Sequence, residues 1–313
     1  MRAGGYRMKH CRIALGALLV VLNITACNKG TAPSPGADKT ALPVNRDGQP
    51  QLALTPDYVH IDYRVWGSGE PAVVLIHGWA CDSNYWNAQV NALKAKYTVV
   101  AVNLAGHGGS ERNRTDWSMG NYGEDVATVV RQLKNGQVIL VGHSMGADVA
   151  LEAARRIGDR VIGIIAVDSL KSIGLPPMRP LEINRQLAPF KAGFIEATRD
   201  YVTRTMFAPG ADPAFVQKVA YDMSLEPADV GVPSLQSLLA MDFSTLLPDI
   251  KMPVMAINSD LAPTDEARIR KSLPGFQAEV LEHTGHFLMM EVPQRFNPVL
   301  LKDIDILVHR GGH

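Results

Sequence analysis

From about residue 58 onward the chain alternates short apolar runs with stretches whose apolar residues recur at helical spacing. The run VHIDYRVW alternates its faces, as a strand with one wet side does. AVVLIH is apolar nearly throughout, as a strand buried on both sides is. A helix is predicted over 86–95, and YTVVAVNL returns to a strand. Residues 121–134 place Val126, Val129, Val130 and Leu133 on one helical face. QVILVG is a further buried strand, 145–156 a helix, and VIGIIAV another strand. Such alternation predicts an α/β fold with a mostly parallel sheet and helices on both faces.

The rhythm breaks between roughly 170 and 250. Here Pro176, Pro177, Pro180, Pro189, Pro209, Pro213, Pro227 and Pro233 separate short amphipathic stretches such as FIEATRDYVTRTMF. No run in this region is long and apolar enough for a central strand, so it reads as a helical insertion across one edge of the sheet. Sheet rhythm resumes with PVMAIN, a helix near 264–273, the strand QAEVLE and a last helix from about 293 to 308.

The first residues follow a different logic. Arg2, Arg7, Lys9 and Arg12 precede the apolar run Ile13–Leu22, a basic flank and apolar core of export-signal type. Ten apolar residues rise only about 15 Å as a helix, half of a hydrocarbon core near 30 Å, so a permanent span is the weaker reading. The polar stretch that follows offers a buried helix nothing to pack against. Ile24-Thr25-Ala26-Cys27 resembles a bacterial lipobox. The resemblance implies cleavage before Cys27, a diacylglyceryl group on its sulfur and an acylated amino terminus. Asn28 is not the aspartate that, in the enteric version of this system, retains lipoproteins in the inner membrane. A lipid-anchored protein of the outer membrane, facing the periplasm, is therefore the expectation. Residues 27–50, rich in Pro, Gly, Ala, Thr and charge, read as a flexible tether.

Composition narrows the function class. In 313 residues, 46% hydrophobic and 20% charged, there is enough apolar material for one large domain. Lys+Arg and Asp+Glu both number 31, and no basic patch stands out, which argues against a nucleic-acid partner. Without the four basic residues of the leader the chain carries a net charge of −4. Of the three cysteines, Cys11 leaves with the leader and Cys27 is the lipidation site, so Cys81 has no partner for an intrachain disulfide.

The sharpest chemical signal is Gly142-His143-Ser144-Met145-Gly146, set between the strand QVILV and a helical pattern. A strand–turn–helix with small flanking residues presents a serine hydroxyl at a tight elbow, with the helix N-terminal dipole behind it. Serine needs a base within hydrogen-bonding reach. His286, in the loop after QAEVLE with Gly285 supplying a turn, suits that role better than His283 or His143. Two acids lie just past strand ends and could orient the imidazole: Asp168 after IIAV and Asp260 after PVMAINS. The residues alone barely separate them.

His77-Gly78-Trp79, Leu104-Ala105-Gly106-His107-Gly108, the elbow, Asp260 and Gly285-His286-Phe287 together resemble the α/β-hydrolase family over roughly 58–309. The resemblance implies a core over 51–169 and 251–313 with a helical cap over 170–250. It favours a Ser144, Asp260, His286 triad, with Asp168 as the alternative acid that some members use. It also implies an oxyanion hole from the backbone N–H groups of Met145 and Trp79. Ala147 and Ala105 depart from the family's usual glycine and proline without chemical consequence. A serine nucleophile argues against the dehalogenase and epoxide-hydrolase branches. No metal or organic cofactor is implied, and there is no HExxH stretch or Cys/His ligand cluster. The expected activity is cleavage of a small to medium carboxylic ester through an acyl-enzyme. Lactone, amide or C–C bond hydrolysis on the same residues is the enzymatic alternative. A lipid-anchored binding or scaffold protein with an inactive site is the non-enzymatic one.

Overall fold

The computed structural model describes residues 46–311. The leader over 1–26, Cys27 and the tether as far as residue 45 lie outside the described residues. The chain engages the folded body before the tether was expected to end. The Arg46 guanidinium donates to the Gly67 carbonyl and to Thr98 Oγ1, and the Gly48 N–H donates to the Val65 carbonyl.

The sheet begins with β1 (Gln51–Leu54) and β2 (His60–Trp66), which pair antiparallel. β3 (Ala72–Ile76), α1 (Asn87–Leu93), β4 (Thr98–Val102), α2 (Met119–Gln132), β5 (Val138–His143), α3 (Met145–Ile157) and β6 (Val161–Val167) follow in alternation. After the insertion come β7 (Val254–Ser259) and β8 (Gln277–Leu281). The eight strands order as β1-β2-β4-β3-β5-β6-β7-β8, and every pair from β4 to β8 is parallel.

Strands β3 to β7 are buried at every position, which is why Val, Ile, Leu and Ala dominate them. Each Val, Ile or Leu side chain contributes about 1.5–3 kcal/mol when fully removed from water. One face is covered by α2 and α3. Gly123 of α2 lets the helices close to the point where an added Cβ would stand 2.6 Å from Glu152 Cβ.

Between β6 and β7 the described chain is helical: α4 (Pro180–Ala192), α5 (Phe194–Thr205), α6 (Pro213–Ser224), α7 (Ala228–Leu239) and the short α8 (Phe243–Leu246). Pro180 and Pro213 open helices, where a missing N–H costs nothing. Pro189 and Pro233, read as separators, instead lie inside α4 and α7. Buried Ile183, Leu187 and Phe190, and Val230, Ser234 and Leu235, hold these two helices against their neighbours through the breaks.

The helix expected near 264–273 is reduced to α9 (Glu266–Ile269). Pro274 disfavours helical backbone at Leu273, and the Arg270 guanidinium donates to the Phe276 carbonyl, turning the chain into β8. α10 (Leu288–Glu291) and α11 (Pro293–Gly311) complete the chain, with Gly163 of β6 making room for Leu307.

Candidate active site

Connections leave β3 toward β4 on one side, and leave β5 toward β6 on the other. The carboxyl ends of β3 and β5 therefore border the crevice where open α/β sheets place their ligands. Ser144 stands there, between β5 and α3. Its backbone is held at φ 50°, ψ −121°, which an L-residue adopts only under constraint. Neighbouring strands impose the turn: the Ser144 N–H donates to the Val167 carbonyl, and Ala147 N–H to the Ser144 carbonyl. The two flanking glycines are required by contact. A Cβ at Gly142 would lie 2.1 Å from the Gly146 carbonyl oxygen, and one at Gly146 2.4 Å from that of Ile76.

His286 lies in the loop between β8 and α10. Its Nδ1 stands 2.6 Å from Asp168 Oδ2, so the acid meeting the imidazole is the one that ends β6. Asp168 is 8% exposed and its own φ is 46°. Its other oxygen, Oδ1, accepts from Ser259 N–H at 2.8 Å, Ser259 Oγ at 2.7 Å and Lys171 Nζ at 2.7 Å. Burial alone would raise this carboxyl, but the hydrogen bonds and charges of His286 and Lys171 outweigh it and hold the group well below the ordinary carboxylate range.

The expectation that Asp260 meets the imidazole is corrected by this geometry. Asp260 accepts the backbone N–H groups of His283 at 2.9 Å and Thr284 at 3.3 Å, near the surface. The reason is lateral position. β6 lies beside β5, whereas β7, which carries Asp260, lies one strand further out. Asp260 braces the loop upstream of His286 rather than its ring. The His283 side chain is 92% exposed, with its Nδ1 4.0 Å from Asp260 Oδ2.

Three side chains beyond the expected triad position the histidine. The His143 ring is fully buried, held neutral by burial with its pKa lowered to about 3, and its Nε2 lies 2.9 Å from the His286 carbonyl oxygen. A neutral ring with its proton on Nε2 donates there. Glu291 accepts Gly285 N–H on Oε2 and Phe287 N–H on Oε1, bracketing His286 from both sides. Lys171 bridges Asp168 and the Ser259 carbonyl. The elbow motif placed His143 next to Ser144 but carried no sign of its partner. Glu291 and Lys171 have only local sequence contexts, with no motif to mark them.

Trp79 follows β3, and its backbone N–H, like that of Met145, donates to no acceptor among the described residues. Its indole Nε1 donates to the Gly231 carbonyl at the start of α7, and its rings meet Phe190 and Phe194 edge-on. His77 ties the preceding turn to the β4 loop. Its Nε2 accepts Leu104 N–H at 3.0 Å, and burial lowers its pKa to about 4. His107 is likewise buried with Nδ1 against the Ala105 carbonyl, and Trp86 is fully buried. Cys81 is buried and its thiol is pushed up by desolvation, as befits packing rather than reactivity.

Ser144, Asp168, His286 and Trp79 line one cavity of about 290 Å³ beneath Tyr201, Met206 and Leu235 of the helical insertion. Residues 73–299 match the model of the alpha/beta hydrolase family. The chain belongs to the alpha/beta hydrolase family. The 2-(acetamidomethylene)succinate hydrolase of Mesorhizobium japonicum is 28% identical over 232 residues, 69% of this chain and 82% of that protein. Among solved structures, a thermophilic esterase from Thermogutta terrifontis superposes with a TM-score of 0.73 at 22% identity, covering 83% of this chain and 99% of the esterase. The enol-lactonase from Burkholderia xenovorans superposes at 0.69 with 21% identity, covering 82% and 100%. The alpha/beta hydrolase fold is thus shared across more than the matched core.

Proposed function

We propose that this alpha/beta hydrolase family member is a serine hydrolase of small to medium carboxylic esters, with Ser144 as nucleophile, His286 as base and Asp168 as the orienting acid. The observation that carries it is the 2.6 Å bond from His286 to a buried, donor-saturated carboxylate in the cavity that Ser144 lines. With its proton on Nδ1, directed at Asp168, the imidazole has Nε2 free to act as base.

In the proposed cycle, His286 Nε2 takes the Ser144 proton as Oγ attacks the ester carbonyl carbon. The carbonyl electron pair moves onto oxygen, where the Trp79 and Met145 N–H groups stabilise it without reorganising. Collapse breaks the bond to the alkoxy oxygen, which leaves with the proton from His286. Water, deprotonated by the same nitrogen, then attacks the acyl-enzyme and releases the acid and Ser144. The apolar side chains of Met206, Leu235 and Leu238 on the cavity wall support an uncharged ester group at the reacting centre.

We infer also that Cys27 carries the lipid anchor and that the domain works at the bacterial cell envelope, at the outer membrane facing the periplasm. Several acyl chains together suffice to hold a protein there, where one is marginal. Intact-mass measurement of membrane-extracted protein should show the chain beginning at a modified Cys27, and an unmodified Cys27 would remove the anchor.

The catalytic reading is tested with a fluorophosphonate probe and p-nitrophenyl butyrate. Wild type should be labelled and active. Ser144→Ala should lose labelling and reduce kcat by about 10⁵-fold or more. Equal labelling of both proteins would end the assignment.

A further inference from the structure

A second cavity, of about 700 Å³, shares Ser144, Asp168, Lys171 and Leu238 with the one that holds His286. It continues between the segment after β6, with Leu175 and Met178, and the cap's Leu239, Met241 and Phe243. Asp148 lies on its wall. Ser144 precedes α3 and Asp148 is the helix's fourth residue, so the two stand about one helical turn apart along the chain and open on the same cavity.

Asp148 is out of character for its surroundings. It is 5% exposed, its Oδ1 is sealed from solvent, and among the described residues the carboxyl group has no hydrogen-bond or ion-pair partner. The other charged groups on the wall are spoken for. Asp168 and Lys171 hold each other, and Lys171 also donates to the Ser259 carbonyl. Asp242 accepts the Ser244 N–H and hydroxyl at the start of α8. Among the described residues lining this cavity, Lys171 is the only cation, so no basic side chain is left to balance Asp148.

We propose that the cavity is the acyl-chain subsite for esters bearing a protonated primary amine, whose ammonium pairs with Asp148 while the carbonyl sits at Ser144. This deepens the ester-hydrolase reading and rests on it for the placement of the carbonyl. An ammonium supplies three donors and a compact charge to a carboxyl that the protein leaves without any. A chain of three methylenes between carbonyl and amine has the length to bridge one helical turn. Leu175, Met178, Leu238, Leu239, Met241 and Phe243 on the wall suit those methylenes. Burial pushes the Asp148 carboxyl up to about 8, so near neutral pH the bare acid holds its proton and an arriving ammonium displaces it. A neutral acceptor would instead bind the protonated acid and release nothing.

Ethyl γ-aminobutanoate and ethyl pentanoate have the same heavy-atom skeleton and differ only in ammonium for methyl. Their binding to Ser144→Ala, measured by calorimetry at neutral pH, should favour the amino ester by about tenfold or more. It should be accompanied by release of close to one proton, read from two buffers of different ionisation enthalpy. Asp148→Asn in the same background should abolish both the preference and the release. Equal affinities, a preference for pentanoate, or a preference that survives Asp148→Asn would overturn the inference. If Asp148→Asn melts early, the proton release from the parent decides, and its absence overturns the inference. The two readings fail separately: preference for the amino ester in Ser144→Ala, with no turnover of either ester by wild type, would leave the ammonium site and remove the hydrolase.

Discussion

A carboxylate that meets four donors is a different chemical object from one on a loop, and Asp168 and Asp260 show the difference. Asp168 takes its bonds from Ser259, Lys171 and His286 inside the sheet edge, while Asp260 takes two backbone N–H groups near solvent. Asp168→Asn should present the wrong group to Nδ1 and lower kcat toward p-nitrophenyl butyrate by about 10³- to 10⁴-fold. Asp260→Asn should leave kcat within a few-fold of wild type, and the two rates measured side by side decide between the acids. Both aspartates were visible in the sequence as residues past strand ends. What separates them is which strand neighbours β5, a long-range fact that no local pattern encodes. The elbow, by contrast, was fully legible, because its glycines answer contacts within the motif and with the adjoining strand.

At the scale of elements, the sequence announced the strands buried on both faces and also the partly exposed β2 and β8. β1 was missed because its four residues, QLAL, gain strand character only by pairing with β2. The proline-rich region was recognised as helical, but its boundaries were not, since packing carries α4 and α7 across internal prolines. The loop bearing His286 is organised by α10. Glu291 accepts an N–H on either side of the histidine, and glutamine could accept only one of them well. Glu291→Gln should lower kcat by about tenfold while leaving KM nearly unchanged, because it misplaces the base rather than the substrate. Steady-state kinetics on the neutral ester reads that split directly. The α2–α3 contact offers a structural counterpart. Gly123→Ala, whose methyl would meet Glu152 Cβ, should destabilise by about 1–3 kcal/mol as a lowered Tm.

For the whole molecule, buried ionisable groups set how folding responds to acidity. Asp148 in the folded protein keeps its proton up to about 8, while the unfolded chain loses it near the ordinary 3.8. Between those values the folded state binds the extra proton, so the stability this group allows is full below about pH 4 and is lost as pH rises through about 8. The gap in Tm between Asp148→Asn and wild type should therefore be small near pH 4 and widen, in favour of the variant, toward about pH 8.5. Circular dichroism melts across that range measure it, and a constant gap would show that Asp148 does not titrate this way. Glu226, also raised to about 8, is present in both proteins and cancels.

One bond crosses from the insertion to the loop bearing His286: the His286 N–H donates to the Met206 carbonyl, just past α5, at 2.8 Å. The roof over the crevice is thereby one of the fixings of the proposed base. A wholesale swing of the insertion would strip the imidazole of a support at the moment a guest arrives. Admission must then proceed by side-chain and short-segment adjustment around Tyr201 and Leu238, with the backbone at Met206 standing still. Guests would be filtered by girth rather than by length, and a bulky quaternary centre would be refused where a slender chain passes.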